Sequence, residues 1–268
     1  MKKLNLIILI FFTTCIFSSG FSQGLSVKLG GGYAIGMNQQ SLPFVEYDTQ
    51  DENGISTHRF WYSLGKGMTP ELEIAYKFNK NFGIAINASY LYGTKNTAFN
   101  DYLDDENDYS YHYYSEMILI SPSVLFEPIH GDFSPYAKLG GVFGSGKFYQ
   151  KYDDMKDSEN IYLIEYTGSS ALGVNTALGM NYKLSSLISV YAEINAMIMS
   201  WAPEKAKVTK YIVEGEDQLP DMPVAEREIE FVESVEQSPY NPDEPSQALK
   251  QNFNFDNIGL RAGVKFSF

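Results

Sequence analysis

The chain has 268 residues, a formal net charge of −13, 44 % hydrophobic and 15 % aromatic residues, and one cysteine. The length fits one large domain or two small ones. So acidic a balance argues against nucleic-acid phosphates as a partner, and a lone cysteine rules out a disulfide framework within the chain. Twenty Tyr, 18 Phe and 22 Gly point to a β-rich chain with close backbone approaches.

The chain opens "MKKLNLIILIFFTTCIFSSGFSQ", which reads as a secretory signal over residues 1–22. Lys2 and Lys3 form its charged end, Leu4 to Phe17 its apolar stretch, and Gly20-Phe21-Ser22 its small-residue cleavage site. The apolar stretch is short for a spanning helix, which needs about 20 residues. Cleavage removes Cys15, Lys2 and Lys3, so the mature chain, expected as one unit over 23–268, has no thiol and a formal charge of −15.

Beyond the signal, period-two alternation dominates, and it predicts strands rather than helices. Eight are expected, at 25–38, 61–78, 82–95, 112–127, 134–148, 161–184, 187–202 and 250–268. In "FGIAINASYLYG" one face carries Phe82, Ile84, Ile86, Ala88, Tyr90 and Tyr92, and the other Gly83, Ala85, Asn87, Ser89 and Leu91. "ELEIAYKF" and "LISVYAEINAMIMS" alternate in the same way. The last strand, "NIGLRAGVKFSF", sets Ile258, Leu260, Ala262, Val264, Phe266 and Phe268 against Arg261 and Lys265. These strands exceed the usual length of about 5–6 residues, and a tilted strand crosses a bilayer in about 9–11.

The connections at 79–81, 128–133 and 185–186 are short, whereas those at 39–60, 96–111, 149–160 and 203–249 are long and polar. All short turns thus fall at one end, the asymmetry of outer-membrane barrels. A soluble barrel would bury its apolar face. Here the less apolar face is rich in small residues such as Gly30, Gly32, Ala34, Gly173 and Asn175, which suit a narrow interior. Two aromatic girdles are expected: Tyr76, Phe78, Phe126, Tyr182, Phe266 and Phe268 at the turn end, and Trp61, Tyr62, Tyr90, Tyr92, Phe148 and Trp201 toward the loops.

On these features the chain resembles the small eight-stranded outer-membrane barrels of the OmpA/OmpX kind. More narrowly it looks like the porin-like or PorT-like barrels of Bacteroidetes-type bacteria. The resemblance implies an all-β, eight-stranded, antiparallel up-and-down transmembrane barrel with long extracellular loops, in the bacterial outer membrane and working as a monomer. It further implies that Val264, Phe266 and Phe268 form the signal read by the barrel assembly machinery.

Counted up from the turns, Glu73, Lys138, Glu193 and Arg261 share one middle layer, with Lys28, Lys77, Glu127, Lys183 and Lys265 below. A barrel of this size is filled by its side chains, so a salt-bridge plug is expected, with Glu193–Arg261 as its direct pair. The alternative is a gate that opens a small channel.

Segment 203–248 carries twelve acidic residues against Lys205, Lys207, Lys210 and Arg227. Its alternating "AKVTKYIV" and "EREIEFVESV" are expected to form a hairpin prolonging the last two strands. The loop "NDYLDDENDYSYHYY" is a second acidic, Tyr-rich patch, and the spacing of Asp104, Asp105, Glu106 and Asp108 matches no EF-hand. The expected role is display of acidic loops to an extracellular protein partner, or support of a membrane of lipid and lipopolysaccharide. No catalytic residue, cofactor or metal site is expected. Of three histidines, His58, His112 and His130, none shows a nucleophile and acid in register from sequence alone, so a rim-located lipid-modifying enzyme ranks last.

Overall fold

The structure is a computed structural model. It describes residues 24–37, 40–51, 54–100, 109–128, 131–154, 160–235 and 239–268. The signal over 1–22, the cluster at Asp104–Asp108 and His130 lie outside them, as do the side chains of His58 and Trp61.

The described chain is built almost wholly of strands. In order they are β1 (Leu25–Gly36), the hairpin β2 (Gln40–Asp51) and β3 (Gly54–Tyr62), β4 (Gly67–Met68), β5 (Glu71–Lys77) and β6 (Phe82–Gly93). Then come β7 (Asn96–Asn100), β8 (Tyr109–Phe126), β9 (Phe133–Asp154), β10 (Ile161–Thr167), β11 (Ala171–Lys183) and β12 (Ile188–Trp201). The last are β13 (Lys205–Val213), β14 (Glu216–Asp217), β15 (Glu228–Val232), β16 (Ser246–Leu249), β17 (Phe253–Asn254) and β18 (Asn257–Ser267).

The antiparallel ladder closes on itself. β1 pairs with β18, β18 with β12, β12 with β11, β11 with β9 and β9 with β8. β8 then pairs with β6, β6 with β4 and β5, and these two return to β1. Closure leaves the wall no free edge and satisfies its backbone groups internally, the condition for a sheet in lipid.

Burial along each strand follows the alternation, with the apolar residues outside. Leu72, Ile74, Ile84, Ile86, Ile118, Val124, Leu139, Leu178, Ile194 and Leu260 are exposed, while Lys28, Glu73, Lys138, Glu193, Arg261 and Lys265 are buried. The short turns at 78–81, 127–132 and 184–187 gather at one end with Gly24 and Phe268, shown by Lys77 N–H bonding to Gly24 O, Glu127 N–H to Asn81 O and Phe268 N–H to Leu25 O. Exposed Tyr76, Phe78, Phe126, Tyr182 and Phe268 ring this end, with Phe82 packed on Phe126 and Phe133 on Tyr182.

Three expected strands are divided. The span 61–78 breaks at Ser63–Lys66 and again at Thr69–Pro70. Pro70 has no N–H to donate to the ladder, and Thr69 bridges the gap through reciprocal bonds with Gly32 at 2.9 and 3.2 Å. The span 161–184 divides at Gly168 and Ser169, whose φ angles of 98° and 51° turn the chain out of the sheet. The span 250–268 first pairs with β12 through β17, breaks at Phe255 and Asp256, and resumes at Asn257, with the Phe253 and Phe255 rings buried in the barrel mouth.

The acidic segment also pairs differently from expectation. β13 runs against β10 and, over three residues, against β15, while β16 adds a parallel strand beyond. It therefore prolongs the outer half of β9 rather than β12 and β18. Side-chain matching explains the choice. Lys205 and Lys207 face Glu230 and Glu228 on one side, and Ala206 and Val208 bury against the row of Tyr166 and Ile164 on the other.

Candidate functional site in the barrel lumen

The lumen is filled in storeys. Toward the loops lies an apolar core of Tyr62, Leu64, Leu91, Tyr113, Met117, Leu119, Phe148, Met197, Met199, Trp201, Phe253 and Phe255. This corrects the loop-end girdle. Tyr62, Phe148 and Trp201 are 2 %, 0 % and 1 % exposed, because their strand positions share the parity of the lumen; Tyr92 does face outward. The stopper is tied in place by Met199 N–H donating to Asp256 Oδ1 at 2.8 Å and Ser115 Oγ–H to Leu64 O at 2.7 Å.

Below it sits a charge network. Lys138 Nζ donates to Glu73 and, at 2.9 Å, contacts Glu193. Lys28 Nζ lies 3.3 Å from Glu73 and 3.8 Å from the centre of the Tyr136 ring, an ion pair combined with a cation–π contact. Arg261 donates to Glu71 at 2.7 Å, and its approach to Glu193 is 3.8 Å. The expected pair Glu193–Arg261 is thus present as the longer of two contacts, and Glu71 takes the hydrogen bond. Glu193 is instead completed by the Tyr136 hydroxyl at 2.8 Å, and Glu71 by the Tyr191 hydroxyl at 2.7 Å and Asn87 at 2.8 Å. Three cations (Lys28, Lys138, Arg261) face three anions (Glu71, Glu73, Glu193), so the layer is formally neutral, as burial requires.

Glu71, Tyr136 and Tyr191 were missed in the sequence, although their lumenal parity was readable. The glycines opposite them were the available signal. A Cβ at Gly30 would collide with the Tyr191 hydroxyl, and one at Gly179 with the Tyr136 ring. The small residues of the inner wall make room for these two rings.

Nearest the turns, Glu127 receives Lys265 at 2.7 and 2.9 Å and Asn181 at 2.8 Å, with Lys77 Nζ 3.7 Å away. In the last strand, Phe268 is exposed, Val264 and Phe266 are half-buried, and all three lie in or just beyond β18, which seals the ring to β1.

A second cluster lies above the apolar belt. Asp153 Oδ2 stands 3.3 Å from His112 Nε2, Ser110 Oγ also 3.3 Å from Nε2, and Thr97 Oγ1 2.8 Å from Nδ1. Asp153 can only accept, which places the proton of a neutral ring on Nε2 and lets Thr97 donate to Nδ1. Burial holds His112 below its ordinary value of 6.5, with Lys95 and Lys151 adding to it and Asp153 opposing. Sequence could not show this group, since Asp153 comes from β9, whose Lys151 is the register partner of His112. Asp153 is held more closely by Lys151, at 2.7 Å. Ser110 and Asp153 compete for one nitrogen, so the group stitches β7 to β8 and β9. Among the described residues no set of three or more His, Cys, Asp or Glu could hold a metal ion.

A closed sheet with an apolar outside and a charged inside is stable only with lipid around it, and such barrels belong to the outer membrane. The chain is a bacterial outer-membrane β-barrel protein. No protein-family model matches it, and no curated protein does either. Among solved structures it is similar to the outer membrane protein OprG from Pseudomonas aeruginosa, with 13 % identity, 93 % of this chain and 98 % of that one covered, and a TM-score of 0.48. It is also similar to Neisserial surface protein A, with 12 % identity, 92 % and 99 % covered and a TM-score of 0.39. A third is the attachment invasion locus protein Ail of Yersinia pestis, with 13 % identity, 91 % and 99 % covered and a TM-score of 0.32.

Proposed function

We propose that the protein is a monomeric, non-enzymatic, eight-stranded up-and-down barrel whose work is done by its loops. The staves are β1, β4 with β5, β6, β8, β9, β11, β12 and β18. The observation that carries this reading is the filled lumen: a neutral charge layer under an apolar stopper leaves the barrel as a scaffold. What it carries is the sheet β10–β13–β15–β16 and the acidic segment around it, offered to an extracellular protein partner, with lipid and lipopolysaccharide around the wall. The assembly machinery reads Val264, Phe266 and Phe268. The open turn end favours a second reading, a small channel, only if the plug moves.

The reading requires the acidic segment to be outside the cell. A single cysteine at Asp243, in a chain otherwise free of cysteine after residue 15, should react with a membrane-impermeant maleimide in intact cells, while one at Lys80 should react only after the outer membrane is opened. Labelling in the reverse order would overturn the reading.

A further inference from the structure

Among the described residues the lumen is filled toward the loops by the apolar core and open at the turns. A cavity of about 560 Å³ enters there, with Lys77, Lys80, Lys183 and Lys265 on its wall beside Glu127 and Asp132. Glu127 is shared by two ammonium groups: Lys265 takes both its oxygens, and Lys77 donates to its carbonyl at 3.1 Å. Four cations thus face two acidic side chains on this wall. The surplus stands out in a chain of net charge −13. It sits inside a sheet wrapped in lipid, where a low-dielectric wall focuses the field on the opening.

The rest of the wall is rich in hydroxyls. Ser26, Ser134, Ser189 and Ser267 line the cavity. Their register explains why: Ser26 faces Ser267 across β1 and β18, Ser134 faces Asn181, and Ser189 lies between Lys183 and Lys265 on β12. Ammonium and hydroxyl donors around a blind cavity suit an acceptor-rich, negatively charged guest. The blind end matters as much, since the charge layer above lets such a guest be held without being passed on.

We propose that this turn-end vestibule is a binding pocket for a small oxyanion of the phosphate or carboxylate class. It is a site separate from the loops, and it rests on the barrel and its plug rather than on loop display. Calorimetric titration of the full-length barrel in maltoside micelles tests it, with inorganic phosphate as one titrant and citrate as the other. Wild type should bind one equivalent of at least one of them saturably, and which one separates the two chemistries. Lys80→Gln/Lys183→Gln removes two exposed cations and should weaken binding about tenfold or more. Ser189→Asp, which brings a carboxylate to the lysines, should abolish it. Heat-modified gel mobility checks that each variant still folds. Absence of saturable binding to wild type, or equal binding by all three proteins, would overturn the proposal. Maleimide labelling and conductance are unaffected by either result.

Discussion

At the scale of single residues, the chain places charges where charges are costly and then neutralises them in groups. Each ion buried in the lumen carries a desolvation cost of several kcal/mol, offset only by close partners. Lys138 is the most connected, bridging Glu73 and Glu193. Lys138→Met leaves both carboxylates short of a cation and should cost about 3–5 kcal/mol. Adding Glu193→Gln to that variant should recover part of the loss, because Lys28 and Arg261 then face Glu73 and Glu71, two charges against two. Urea unfolding in lipid vesicles measures both, and a double variant less stable than the single one would contradict this. The residues of the layer were legible from strand parity and height, but their partners were not. Arg261 lies opposite Glu193 in the register of β12 and β18 and approaches it at 3.8 Å, yet gives its short bond to Glu71, and side-chain reach across a lumen is invisible to a count along strands.

At the scale of elements, alternation located the wall strands because lipid outside and packed lumen inside impose the same period on each. It misjudged the breaks at Pro70 and Gly168, where one proline and two left-handed residues act against a continuing pattern. It also sent Tyr62, Phe148 and Trp201 to the wrong side, because an aromatic at a strand end suits a membrane girdle and a stopper equally well. The edge strand β7 carries a pH-dependent tie. His112 titrates below its ordinary 6.5, so the folded rim binds fewer protons than the unfolded one once the pH falls to that value. The contribution of neutral His112 is present above it and is lost on acidification. Hydrogen exchange of β7 amides should therefore quicken between about pH 7.5 and pH 5.5 beyond the intrinsic pH effect, and His112→Gln should remove the difference. Unchanged protection in the wild type would argue against the tie. At the other end of the chain, Phe268 adds one bond to β1 and an exposed ring. Phe268→Ala should lower the yield of inserted barrel while leaving the stability of barrel already inserted within about 1 kcal/mol, as expected for one exposed side chain. Normal insertion at high expression would count against the assembly role.

At the scale of the whole molecule, the closed ladder, the neutral plug and the stopper of Phe253, Phe255 and Leu64 are the features on which the proposed reading, a support without a pore, rests. The vestibule at the turn end fits this account, since a pocket needs one opening and a channel needs two. The acidic segment, eight charges more negative than neutral over 203–248, contributes β13, β15 and β16 to the sheet that continues the outer half of β9 through β10. The most direct test is single-channel recording of the purified protein in planar bilayers. The account predicts no stable conductance beyond brief flickers, with Lys138→Met more prone to flicker than wild type. Long-lived openings of uniform size in the wild type would contradict it and make the charge layer a gate.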